Sequence, residues 1–237
     1  MDFTGSVVAI PGGTGGLGRV VALSFLRAGA TVVTTCVVPS EQGRLAREAE
    51  ALSVRLSCLQ VDVTDEDAVK RFAGEIVARH GRVDVLVNSV GGFSGGKPVW
   101  ETDQATWDRM LNLNLKSVYL CAKAVVPQMI KQNRGRIVHV ASRSSLKGDA
   151  GLSAYAASKA AELVLTQSLA EELKPYRINV NAILPSIIDT EANRQAMPNA
   201  DHSQWPTPEA IAKVILFLCS PDAEVIHGAA IPVYGRV

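Results

Sequence analysis

The sequence predicts an α/β fold built as a doubly wound, mainly parallel seven-stranded sheet with helices on both faces. Two observations lead there. Short β-branched apolar runs alternate with longer amphipathic segments from end to end, as strand–helix–strand crossovers require. The runs are continuously apolar rather than alternating, as strands buried on both faces of a parallel sheet must be.

In chain order the strands are expected at 7–10, 31–38, 55–61, 83–88, 136–141, 178–184 and 229–233. The helices are expected at 16–28, 41–53, 66–80, 104–131, 153–174 and 208–219. Asp65 stands where the third helix needs an N-cap, and Gly29 and Gly81 stand where helices should stop. No repeat or linker-like tract divides the chain, so 1–237 reads as one domain, with a short polar segment at about 190–206 suited to a substrate flap.

Composition excludes several classes. A formal charge of +1 with no basic stripe argues against nucleic acid or an anionic membrane as partner. The start of the chain lacks the basic and apolar regions of a signal peptide, and no apolar stretch reaches the roughly 20 residues of a membrane helix. Cys36, Cys58, Cys121 and Cys219 are widely spaced and read as reduced, buried residues. A cytoplasmic location is the expectation. The four histidines form no metal-ligand spacing, so no metal is expected.

The first strand runs into Pro11-Gly12-Gly13-Thr14-Gly15-Gly16-Leu17-Gly18 and then a helix. Such a turn lets backbone N–H groups and the helix dipole meet a pyrophosphate, which points to a dinucleotide. Gly12 permits the tight turn, Gly16 close approach of the backbone to phosphate, and Gly18 close packing of helix on strand. The alternative is a glycine-rich turn needed only for helix–sheet packing. At the end of the second strand, Cys36-Val37-Val38 offers neither the acid that selects NAD nor the arginine that accommodates NADP, although Arg44 could reach from the next helix. The reading leans to NADP over NAD. Asp62 ends the third strand, where it could contact adenine or simply begin a turn.

Tyr155 and Lys159 are spaced i, i+4, so a helix brings phenol and ammonium to one face. A tyrosine titrates near 10 in isolation, and a close ammonium favours its phenolate, suiting it to proton exchange with a carbinol oxygen. The strand before it delivers Ser142 to the carboxyl edge of the sheet, where a hydroxyl can stabilise charge on a substrate oxygen. Asn114 falls within a long predicted helix, an unfavourable place for asparagine; it could hold water for a proton relay, or cap or kink the helix.

Taken together these motifs resemble the short-chain dehydrogenase/reductase family in its compact single-domain form. The resemblance covers nearly the whole chain: the 12–18 turn, Asp62, Asn88-Ser89-Val90-Gly91, the Asn114, Ser142, Tyr155 and Lys159 tetrad, and Pro185 to Thr190. It implies hydride transfer between a nicotinamide and a small ketone, aldehyde, 3-oxoacyl group or secondary alcohol, with Tyr155 as general acid/base. It also implies a cofactor bordered by Gly12, Thr14, Gly16, Leu17 and Gly18, by Cys36, and by Asp62 and Val63. Asn88, Val90 and Gly91, then Tyr155 and Lys159, then Pro185, Ile188 and Thr190 complete that border. Family habit further implies a homo-oligomer, tetramer or dimer, formed through the helices at 104–131 and 153–174. An NAD(P)-binding sensor or scaffold that keeps the fold without turnover is the second reading, disfavoured by the intact tetrad. The departures are Pro11 for the usual threonine, Ser89 and Val90 for Asn and Ala, Ser186 for Gly, and Val-Tyr-Gly-Arg near the end for Val-Asp-Gly-Gly.

Overall fold

The computed structural model describes residues 1–237, apart from the side chains of residues 51, 53 and 54. Seven strands, β1 (Val7–Ile10), β2 (Thr31–Cys36), β3 (Leu56–Gln60), β4 (Val85–Asn88), β5 (Gly135–Val140), β6 (Ile178–Pro185) and β7 (Ala230–Val233), form one sheet in the order β3-β2-β1-β4-β5-β6-β7. Every neighbouring pair is parallel. The chain winds outward from β1 to β3, then returns to lay β4 against the other side of β1. That reversal opens a crevice at the carboxyl ends of β1 and β4, where ligands of open α/β sheets bind.

Alternate residues of each strand feed opposite layers, which explains the unbroken apolar runs. On one face Val8 and Ile10 pack with Val21, Phe25 and Leu26 of α1 (Gly16–Arg27) and Ile211 and Ile215 of α8 (Pro208–Cys219). On the other, Ala9, Val33 and Leu86 meet Phe72 and Ile76 of α3 (Glu66–His80) and Leu120, Val125 and Met129 of α5 (Ser117–Gln132). Asp65 caps α3 by accepting from the Ala68 amide at 2.8 Å, and Gly81 ends it at φ 72°, a left-handed position that suits glycine.

Three predicted elements differ. The helix expected at 104–131 is broken into α4 (Gln104–Leu111), a π-turn (Asn112–Lys116) and α5, where the Asn114 side chain is recruited by Gly92 and Ser158. The helix expected at 41–53 starts earlier and ends sooner, as α2 (Pro39–Glu48), with a 3-10 segment over Glu50–Arg55. Pro39 at its first turn explains the earlier start, since the ring presets helical φ. β2 stops at Cys36, leaving Val37 and Val38 exposed. The 190–206 segment carries α7 (Glu191–Ala196) and is pinned at its far end by buried Trp205. Cys36, Cys121 and Cys219 are buried, Cys58 is half-buried, and all four are free thiols. No helix among the described residues is long and apolar enough to cross a membrane.

Candidate active site

Gly12 adopts φ 78°, and a Cβ there would come within 2.8 Å of the Val90 side chain. A Cβ on Gly18 would run into the Gly12 carbonyl and lie 2.6 Å from Ser89 Oγ. Both glycines therefore serve close packing of the turn on α1 and β4. Ser89 adds a clasp: its amide and its hydroxyl both donate to the Pro11 carbonyl, at 3.1 and 2.9 Å. The sequence reading counted Ser89 only as a departure, yet it ties the turn to the central strand.

At the mouth of this turn, α1 begins with Gly15 at its N-cap, no side-chain cap bond and no acid in its first turn. The first amides of the helix point outward without an intrahelical acceptor, as every helix start dictates. A Cβ at Gly16 would stand 3.1 Å from Thr190 Cγ2, so glycine also keeps the floor here open. These amides line a cleft of about 570 Å³ with Thr14, Leu17, Ile188 and Thr190. Thr14 Oγ1 donates to Glu41 at 3.0 Å. Arg44 also faces this cleft, but its guanidinium is held by Glu48 at 3.3 Å and Glu191 at 3.1 Å, which raise its pKa further.

Cys36 ends β2 with its thiol toward Gln42, at 3.4 Å. Asp62 accepts from the amide and hydroxyl of Thr64, at 2.8 and 2.7 Å, and these bonds hold its carboxyl below the usual range. It thus forms a turn, as one of its two sequence readings had it; Val63 beside it is buried. Asn88 ends β4 fully buried, and its Nδ2 has no partner among the described residues.

The reacting groups gather around a smaller cavity of about 220 Å³. Ser142, Tyr155 and Lys159 line it with Val90 and Gly91 on one side and Pro185, Ser186 and Ile188 on the other. Ile188 borders both this cavity and the larger cleft. Ser142 leaves the end of β5 as the N-cap of a short 3-10 turn, accepting from the Ser144 amide at 3.1 Å. Tyr155 and Lys159 project from α6 (Ser153–Leu173), and the Phe93 ring packs edge-on against Tyr155 at 5.0 Å. Phe93 is otherwise exposed, as is Trp100, which lies outside the cavity lining.

Asn114 sits inside the π-turn with its side chain fully engaged. Its Oδ1 accepts from the Gly92 amide at 2.8 Å, and its Nδ2 donates to the Gly92 carbonyl at 3.1 Å and to Ser158 Oγ at 2.9 Å. It splints the Gly91–Gly92 loop to α6. A Cβ at Gly91 would crowd Asn114 Oδ1 at 3.2 Å and Lys159 Nζ at 3.3 Å.

Lys159 is buried. Its Nζ donates to the Val140 carbonyl and to Glu162 Oε2, both at 2.7 Å. Glu162 is completely buried on α6, and burial pushes its carboxyl up to about 7 against the opposing pull of the ammonium. Glu162 was not singled out from the sequence, where a Lys–Glu pair three residues apart looks like any other helical pair. Nor was Ser158. Exposed Arg143, next to Ser142, donates to the Val237 carbonyl at 3.3 Å and lies over the Tyr234 ring.

This arrangement defines an α/β oxidoreductase of the dinucleotide-binding kind, and the chain belongs to the short-chain dehydrogenase/reductase family. The family model for short chain dehydrogenases matches residues 6–201. Among curated relatives, a 3-oxoacyl-[acyl-carrier-protein] reductase of Thermotoga maritima is 35% identical, with 99% of this chain and 98% of the relative covered. A meso-2,3-butanediol dehydrogenase of Serratia marcescens is 32% identical, with 99% and 95% covered. Among solved structures, ElxO with NADP bound superposes with a TM-score of 0.91 at 31% identity, covering 97% of each chain. The protein is therefore an NAD(P)-dependent enzyme of this family.

Proposed function

We propose that the protein interconverts a small carbonyl compound and its secondary alcohol, with NADP favoured over NAD and Tyr155 as the general acid/base. The observation that carries the reading is the convergence of Ser142, Tyr155 and Lys159 on one cavity that shares Ile188 with the cleft at the start of α1. The fit to a dinucleotide rests on the uncapped α1 amides and on the tight spaces at Gly16 and Gly91, which a Cβ would fill. Gly12, Thr14, Gly16, Leu17 and Gly18 would hold the phosphates. Cys36, Asp62 and Val63 would border the adenosine, and Asn88, Val90, Gly91, Pro185, Ile188 and Thr190 the remainder. Bound there, the nicotinamide supplies or accepts the hydride.

The chain's own residues handle the proton. In reduction, the Tyr155 hydroxyl gives its proton to the substrate oxygen as negative charge develops on it; in oxidation, Tyr155 takes that proton back. Ser142 accepts from the Ser144 amide, which orients its hydroxyl to donate to the same substrate oxygen. The Lys159 ammonium stabilises the phenolate side of the exchange. The apolar wall of Phe93 and Val90 and the modest cavity suit a small ketone, an aldehyde or the reactive end of a 3-oxoacyl group. The curated relatives named above act on substrates of these kinds. Exposed Tyr119 on α5 and Val164 on α6 suit a homo-oligomer built through those helices, working in the cytoplasm.

The test is fluorescence titration with NADPH and NADH separately, followed by a screen of 3-oxoacyl thioesters and small ketones. Binding of NADPH with turnover of a screened carbonyl is expected. Failure of both cofactors to bind at sub-millimolar concentration overturns the reading, and binding without turnover of any carbonyl or alcohol favours a sensor.

A further inference from the structure

Lys159, which lines the cavity, is also held from behind by a partner that the tetrad does not include. Two of its three donors are spent inward, on the Val140 carbonyl and on Glu162. Glu162 has no solvent exposure, and its second oxygen, Oε1, has no hydrogen-bond partner among the described residues. An ionised carboxylate in such a place is costly unless fully bonded, so this group is poised to take a proton.

Among the described residues, α4 (Asp108, Arg109), the π-turn (Lys116) and the 3-10 turn after β5 (Arg143) bring charges to elements packed on α6, yet Lys159 is the one charge that shifts the Glu162 carboxyl. From β5, buried His139 faces the same helix: its Nδ1 lies 2.8 Å from Thr166 Oγ1, and Thr166 donates to the Glu162 carbonyl at 2.8 Å. Since the Thr166 proton is committed there, Nδ1 of His139 is the donor to Thr166, which leaves Nε2 a lone pair without a partner. Burial first, and the Lys159 charge second, push the His139 pKa down to about 3, so the ring is neutral. β6 presents apolar Ala182 and Leu184 to α6, and the π-turn presents neutral Asn114. Lys159 and Glu162 thus form an isolated charge pair directly behind the reacting groups.

We propose that Glu162 is a positioning residue for the proton-transfer step: it fixes where the Lys159 ammonium stands and, by gaining or losing a proton, how much net positive charge stands behind Tyr155. When Glu162 is protonated, the ammonium acts on Tyr155 at full strength. When Glu162 is ionised, the two charges largely cancel and the phenolate loses support. The enzyme therefore carries an ionisation that a tyrosine and lysine without a buried acid lack. The inference rests on the acid/base reading of Tyr155 given above, but its first test does not depend on turnover.

That test is carbon-13 NMR of the protein labelled at the glutamate side-chain carboxyl. One glutamate is expected to titrate near neutrality, far above the rest, and to move higher still in Lys159→Ala, where the ammonium no longer opposes its protonation. If every glutamate titrates in the ordinary range, or if the neutral one ignores Lys159→Ala, the proposal fails whatever the enzyme's activity. The second test is the pH profile of kcat. Glu162→Gln should erase an inflection near neutrality, and Glu162→Asp should restore one. An unchanged profile in a folded Glu162→Gln protein overturns the proposal; should that variant not fold, the NMR titration of the wild type and of Lys159→Ala still decides it.

Discussion

The amide of Asn114 donates to the hydroxyl of Ser158 at 2.9 Å, joining the π-turn to the helix that carries Tyr155 and Lys159. Ser158 in turn donates to the Tyr155 carbonyl at 2.7 Å, so a single hydroxyl links the splint to the backbone of the general acid. With its other bonds on Gly92, Asn114 holds the loop and helix that face each other across the cavity.

Asn114→Ala removes all three bonds and leaves the Gly92 groups and Ser158 short of partners. A loss of about 2–3 kcal/mol in stability is expected, together with weaker cofactor binding, because the Gly91 loop loses its anchor. Urea denaturation and NADPH titration of the variant measure both. Unchanged values in each would show that the splint is dispensable.

Tyr155→Phe should reduce turnover by about 10²–10⁴-fold while leaving cofactor affinity within a few fold of wild type. Phe93 packs on the ring edge rather than on the hydroxyl group's bonds, so the fold should tolerate the change. Steady-state kinetics beside a binding titration would separate the two effects. Wild-type kcat in this variant removes the proton from Tyr155.

Arg44 lies in the cleft with Glu48 and Glu191 as partners, and a 2′-phosphate would compete with those carboxylates for it. Arg44→Ala should weaken NADPH binding several-fold more than NADH binding, with the gap narrowing at high salt. Equal effects on the two cofactors would assign the 2′-position to other groups.

Stability should depend on pH through two buried groups of opposite sign. His139 has its pKa lowered from 6.5 to about 3, mainly by burial, so its contribution is present above pH 6.5 and lost as pH falls through about 3. Glu162 is raised from 4.5 to about 7, also by burial, so its contribution is present below pH 4.5 and lost as pH rises through about 7. Between them they favour mildly acidic conditions, with each limb worth on the order of a few kcal/mol. Urea midpoints measured across this range should flatten on the acid limb in His139→Asn and on the neutral limb in Glu162→Gln.

Much of this was legible from residue order. The strand–helix alternation and the caps at Asp65 and Gly81 follow from local periodicity and spacing, while the gathering of Ser142, Tyr155 and Lys159 followed from the family resemblance. What was not legible depends on contacts across the fold. Asn112–Lys116 looks like ordinary helix until Gly92 and Ser158 recruit Asn114. Ser89 looks like a loss until Pro11 is seen to need its hydroxyl. Glu162 shows no local sign of burial, since the strand it packs against lies outside its own helix. Asp62 had two readings, and the turn with Thr64 is a bond within three residues, whereas an adenine contact would need the ligand.

The free thiols have a practical meaning of their own. Burial raises Cys121 to about 12, and burial with Cys36 nearby raises Cys58 to about 12; Cys219 is pushed up as well. Thiolate is the form that alkylating dyes attack, so these positions should stay silent in the folded protein near neutral pH. A single cysteine introduced on the exposed part of the 190–206 segment would then be the favoured target over these three, and a fluorophore placed there would test whether that segment moves, without their prior removal. The same three sulfurs become reactive only when the sheet opens, which gives unfolding a chemical clock inside the native sequence.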